Sequence, residues 1–146
     1  MEFTELVSDF AKRHAVEGLV ARDGEAGLDI DGIPITLVED DGYLIATAEI
    51  GDPPSEGRAA FAEILLEANL ESPAYFAKVR ESGKYVLLHR LALATLDSDS
   101  FDTALESLVN SAENWRGLLA DFRPVAENAA ENEAPPSFGS NGFIQV

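Results

Sequence analysis

Residues Asp97–Phe122 read DSDSFDTALESLVNSAENWRGLLADF, and the spacing of their apolar members decides what kind of fold the chain needs. Phe101, Leu105, Leu108, Val109, Ala112, Trp115, Leu119 and Phe122 recur at steps of three and four, which at about 3.6 residues per turn gathers them into one helical stripe. Asp102, Glu106, Asn110, Glu113 and Asn114 fall on the other side. The spacing therefore predicts one long amphipathic helix that closes a core. Asp99 is the expected N-cap, because a short carboxylate accepts from the first free backbone amides, and Asp102 then lies in the first turn where the helix dipole favours negative charge.

The segments before this helix supply the layer it covers. Tyr75–Arg80 and Lys84–Leu93 read as two strands around Ser82-Gly83, the second a dense apolar run suited to a sheet interior. Glu56–Leu70, with Phe61, Ile64, Leu65 and Ala68 at helical spacing, predicts a helix. Upstream of it, Tyr43–Ile50 puts Leu44, Ala46, Ala48 and Ile50 on one face of a strand. Ile33, Ile35 and Leu37 alternate with Pro34, Thr36 and Val38 in another, and Leu28 and Ile30 alternate with acidic residues in a third. Asp31-Gly32 suits a tight hairpin, since glycine accepts positive φ, and Glu39–Gly42 marks a second turn. Pro34 has no amide hydrogen and suits a strand start or a sheet edge. Phe3, Leu6, Val7, Phe10 and Ala11 give a first helix from Glu2 to His14. The order is α-β-β-β-α-β-β-α, an α+β domain with an antiparallel sheet packed with helices. Residues 1–122 are expected to form it, and residues 123–146 a tail rich in Pro, Ala, Asn and Glu that cannot bury enough apolar area to order itself. Phe138 and Phe143–Val146 are apolar again; such an ending either stays disordered or docks on an apolar surface or sheet edge.

Composition excludes several classes of function. With 146 residues the chain fits one core. Its 10 Lys+Arg against 27 Asp+Glu give a net charge of −17, which repels phosphate backbones and anionic lipid, so neither nucleic acid nor membrane insertion is an expected partner. No apolar run approaches the length of about 18 residues that a bilayer span needs, and Met1–His14 is acidic and amphipathic rather than signal-like. The chain has no cysteine, which removes disulfides and thiolate chemistry. His14 and His89 lack a partner at metal-ligand spacing, and Asp97–Asp102 lacks the glycine and distant glutamate of a calcium loop. No nucleophile elbow, phosphate loop or dinucleotide fingerprint occurs. The expectation is a protein without cofactor or metal that is not an enzyme.

Two helices and a strand carry a family resemblance. Phe61-Ala-Glu-Ile-Leu-Leu-Glu-Ala-Asn-Leu70 is similar to a Leu-Leu-x-Ala-Asn helix, Leu105–Leu118 to a C-terminal helix with Ala, Glu and Trp at Ala112, Glu113 and Trp115, and Leu44–Gly51 to a strand that ends in an apolar residue and Gly. With the order of elements, these resemble the CesT/Tir chaperone family of type III secretion effector chaperones across residues 3 to 121. The resemblance implies a bacterial, cytoplasmic homodimer that holds the extended N-terminal segment of a secreted effector protein without ATP. It also implies that the second helix and the following strand supply the dimer interface, with Phe61, Leu65, Leu70 and Tyr75 as candidates. Phe3, Val7 and Phe10 of the first helix and Ile33 and Ile35 beside Pro34 are the candidates for effector binding. Core burial is the competing role for all nine residues. The alternative function is an adaptor or regulator of the same fold that binds a folded protein and has no part in secretion.

Overall fold

The computed structural model describes residues 1–124, and the tail from residue 125 onward lies outside the described residues. Helix α1 (Phe3–Arg13) is followed by strands β1 (Glu25–Ile30), β2 (Ile33–Asp40) and β3 (Tyr43–Gly51), helix α2 (Arg58–Ala68), strands β4 (Tyr75–Lys78) and β5 (Tyr85–Ala92), and helix α3 (Ser98–Asp121). The predicted order is the observed one, with a single 3-10 turn at Leu93–Thr95 added before α3.

All strand pairings are antiparallel, in the order β1-β2-β3-β5-β4. Both tight hairpins close on an Asp-Gly pair: Asp31 and Gly32 have φ of 53° and 82°, and Asp41 and Gly42 have φ of 49° and 83°. Positive φ at both central residues matches the twist of the flanking strands, and Asp and Gly tolerate it. Each hairpin thus fixes a register, Ile30 opposite Ile33 and Asp40 opposite Tyr43. Period-two alternation then sends Ile33, Ile35, Leu37, Leu44, Ala46 and Ala48 into the core, each no more than 2% exposed.

On that face lie the helices. The α3 stripe is buried at Phe101, Leu105, Leu108, Val109 and Ala112, with Trp115, Leu119 and Phe122 packed at its rim. Phe10 of α1 meets Phe101 edge to face at 5.6 Å. The N-cap of α3 is Asp97 rather than the expected Asp99. Asp97 Oδ1 accepts from the Ser100 amide at 2.8 Å while the Asp97 amide donates to Ser100 Oγ at 3.0 Å, a reciprocal capping box that starts the helix ahead of Asp99. Asp99 instead takes the first-turn place. Asp97→Ala is expected to lower stability by about 1 kcal/mol, measured by urea denaturation, whereas Asp99→Ala should cost less than half of that.

Candidate functional site

Two apolar features remain open on this body. The larger is a cleft of about 560 Å³ between α2 and β4, with Ala59, Ala62, Leu65, Leu66 and Phe76 among its lining. Its sequence origin is a helix with too many apolar faces. Phe61 and Leu65 point into the core, at 2% and 5% exposure, while Ile64, Leu66 and Leu70 stand 40%, 66% and 87% exposed. Ile64 belongs to the expected inward stripe but lies outside, because α2 rests on the sheet along a narrow line through Phe61 and Leu65. Asn69 locks the arrangement: its side-chain carbonyl accepts from the Phe76 amide at 2.7 Å, so the end of α2 satisfies the backbone of β4 as a neighbouring strand would. That clamp gives the Leu-Leu-x-Ala-Asn stretch its physical meaning: Leu65 packs inward, Leu66 lines the cleft and Asn69 holds the strand beside it.

The second feature is a groove of about 330 Å³ between α1 and the link that follows it, with Val7, Ala11, Val16, Leu19 and Val20 among its lining. Val20 is 57% exposed. In the sheet, β1 forms one edge and β4 forms the other.

The nine candidate residues divide unevenly between core and surface. Phe3, Val7, Phe10, Ile33 and Ile35 are all buried in the core cluster, and of these Val7 also floors the α1 groove. Phe61 and Leu65 are buried as well, Leu65 beneath the α2–β4 cleft, while Leu70 and Tyr75 are exposed. Reading from the residues missed Leu66 and Val20; in each case the available signal was an apolar residue left over after the helical stripe had been assigned.

An ionic network ties α1 to α3. Arg13 Nε donates to Asp9 Oδ2 at 2.6 Å, its Nη2 donates to Asp102 Oδ1 at 3.0 Å, and its Nη1 donates to Asp102 Oδ2. Ser98 Oγ donates to Asp9 Oδ2 at 2.7 Å, and His14 Nε2 lies 3.0 Å from Asp102 Oδ2. Asp102 therefore faces α1 rather than open solvent. Hydrogen bonds from Arg13, then His14, hold the Asp102 carboxyl below its ordinary 3.8, and those from Ser98, then Arg13, do the same for Asp9. With the folded-state value depressed, the unfolded chain takes up protons first as pH falls, so this contribution is complete above the ordinary value of about 4 and is lost below it. The melting temperature is expected to drop as pH falls from about 5 to 3, and to drop less steeply in Asp102→Asn. On the sheet, burial pushes the His89 imidazole below its ordinary 6.5; it stands opposite Ala46.

Among the described residues, no group of three His, Asp or Glu is placed to hold a metal ion, and no helix is long and apolar enough to cross a membrane. The openings are lined chiefly by apolar side chains, suited to contact with another chain rather than to proton transfer.

Comparison with known proteins places this geometry. The fold matches the ExsC–ExsE complex, with 23% identity and a TM-score of 0.71 over 82% of this chain and 97% of that one. It matches the type III secretion chaperone SycH of Yersinia pestis, solved with a fragment of YscM2, with 20% identity and a TM-score of 0.64 over 78% of this chain and 99% of that one. It also matches YbjN, a candidate transcription regulator from E. coli, with 14% identity and a TM-score of 0.60 over 80% of this chain and 90% of that one. At these identities the likeness is one of fold. No curated protein sequence matches. The model of the Tir chaperone protein (CesT) family matches residues 5–116, a span that runs from α1 to the Trp115 region of α3. The chain belongs to the Tir chaperone protein (CesT) family, a family of chaperones rather than enzymes.

Proposed function

We propose that this protein is an ATP-independent, cytoplasmic chaperone that holds the extended N-terminal segment of a type III secretion effector. The observation that carries this reading is the family match across residues 5–116. The fold's likeness to SycH, a type III secretion chaperone solved with a bound fragment, supports it. The physical fit is good: an extended segment gains apolar burial in a groove and main-chain pairing at a sheet edge without first having to fold. On this chain the α1 groove over Val7, Leu19 and Val20 is the receiving surface for apolar side chains, and the β1 edge offers main-chain pairing. Phe3, Phe10, Ile33 and Ile35 contribute by holding α1 and β2 in place beneath it.

The working unit in this reading is a homodimer. Its interface is the α2–β4 cleft, with Leu66, Leu70 and Tyr75 as exposed contacts and Leu65 at the floor. A contiguous apolar opening of this kind is what soluble monomers seldom leave uncovered. Phe61 acts from behind, by seating α2.

Affinity purification from the native host followed by mass spectrometry identifies the protein held. Co-expression with the N-terminal segment of that protein should give a nucleotide-free complex of two copies to one segment. Recovery of only free chain would overturn the reading. The likeness to YbjN, a candidate regulator, favours a second reading, an adaptor or regulator of the same fold that binds a folded partner and has no part in secretion. In calorimetry that reading predicts heat with a folded domain and none with the isolated extended segment.

A further inference from the structure

We infer that the residues after Pro124 fold back onto the α2–β4 cleft and compete there with the second copy of the chain, so that self-association is regulated in cis. The inference rests on the reading of that cleft as the dimer face. Three observations converge on it. The first is where the chain departs. Pro124 and Phe122 pack so tightly on Gly57, the residue immediately before α2, that a Cβ built there would lie 2.8 Å from Pro124 Cβ and 2.9 Å from Phe122 Cε2. Arg58 and Ala59, the next two residues, line the cleft. The chain thus leaves its last described residue at one end of the opening.

The second observation is reach. Residues 125–137 separate that point from Phe138, and any random-coil chain of that length spans on the order of 20 Å, against about 16 Å for the whole of α2. The segment SFGSNGFIQV, residues 137–146, then carries Phe138, Phe143, Ile144 and Val146, apolar side chains of the kind the cleft accepts. The third is charge. In a chain with net charge −17, residues 125–146 contain Glu127, Glu131 and Glu133 and no Lys or Arg, so most of the surface repels them. The cleft is lined by Arg58 and Lys78, neither of which has an ion-pair partner among the described residues. Glu63 and Glu67 of α2 are not part of its lining.

A short tether presents its end at an effective concentration on the order of millimolar. If the segment binds the cleft with a dissociation constant near 0.1 mM, each chain has its cleft free about one-tenth of the time, and because both copies must be free to pair, the apparent dimer dissociation constant rises by about 100-fold. The test uses the full chain and a full-length variant carrying Phe138→Asp, Phe143→Asp and Ile144→Asp. Sedimentation equilibrium reads self-association, and amide chemical shifts in dilute, monomeric samples read the cleft at Ala62, Leu66 and Ala77. The expected result is about 100-fold tighter association in the variant, with shift changes confined to the cleft. A synthetic peptide of residues 134–146, added to the variant, should restore the parental shifts. Unchanged cleft amides, or changes confined to the α1 groove, would overturn the inference, whatever the dimer does. Cleft amides that change while neither protein self-associates would uphold the docking of the tail, overturn its role as competitor, and count against the dimer reading alone.

Discussion

Phe61→Ala is expected to lower stability by about 3–5 kcal/mol, a large fraction of the roughly 5–15 kcal/mol that holds a domain of this kind together. Phe61 is 2% exposed and is the hub of an aromatic cluster. Its ring stacks on Tyr85 at 5.9 Å and meets Trp115 and Phe122 edge to face at 6.4 and 5.0 Å. These partners come from β5 and from α3 with its C-terminal cap, so the cavity left by alanine is walled by two separate elements that cannot both collapse into it. Trp115, the only tryptophan in the chain, reports the unfolding transition by fluorescence. A loss below about 1 kcal/mol would mean that α2 is anchored elsewhere.

The second large effect falls on association rather than folding. Leu66→Lys with Leu70→Lys is expected to weaken self-association at least about 100-fold, since burying two more cations in an apolar contact that already holds Arg58 and Lys78 removes about 2.7 kcal/mol or more of binding. Because Leu66 and Leu70 are 66% and 87% exposed in the single chain, the same variant should keep its urea midpoint nearly unchanged. Sedimentation or light scattering measures the first quantity and denaturation the second. A dimer that survives these changes would place its interface away from α2. An unfolded variant would mean that the two leucines support the fold itself.

The fold was legible in the sequence where local chemistry dictates it. Asp31-Gly32 and the turn at Gly42 set two registers, period-two alternation named the buried side of β2 and β3, and the stripe from Phe101 to Phe122 named the covering helix. The cap of α3 was not legible, because Asp97 and Asp99 both suit an N-cap and only the bond between Asp97 and Ser100 distinguishes them. The surface was less legible. An apolar residue on a helix scores the same whether it faces its own sheet or a missing partner, so Phe3 and Phe10, with every side covered, could not be told from Leu66, with one side bare. Asn69 was visible as part of a motif, but its reach to the Phe76 amide depends on how the turn after α2 folds back.

The strand order carries one further consequence. Although β5 lies directly beside β3, the chain runs through α2 and β4 before it returns to form that pairing. The β1-β2-β3 meander closes through two-residue loops and can assemble from neighbours in sequence, whereas α2 and β4 stay unanchored until β5 arrives from farther along. The larger apolar opening therefore lies on the part of the molecule whose anchoring depends on the longer-range pairing. Remodelling at that edge can leave the meander's pairings in place, but it must part Phe61 and Phe76 from Trp115 of the covering helix.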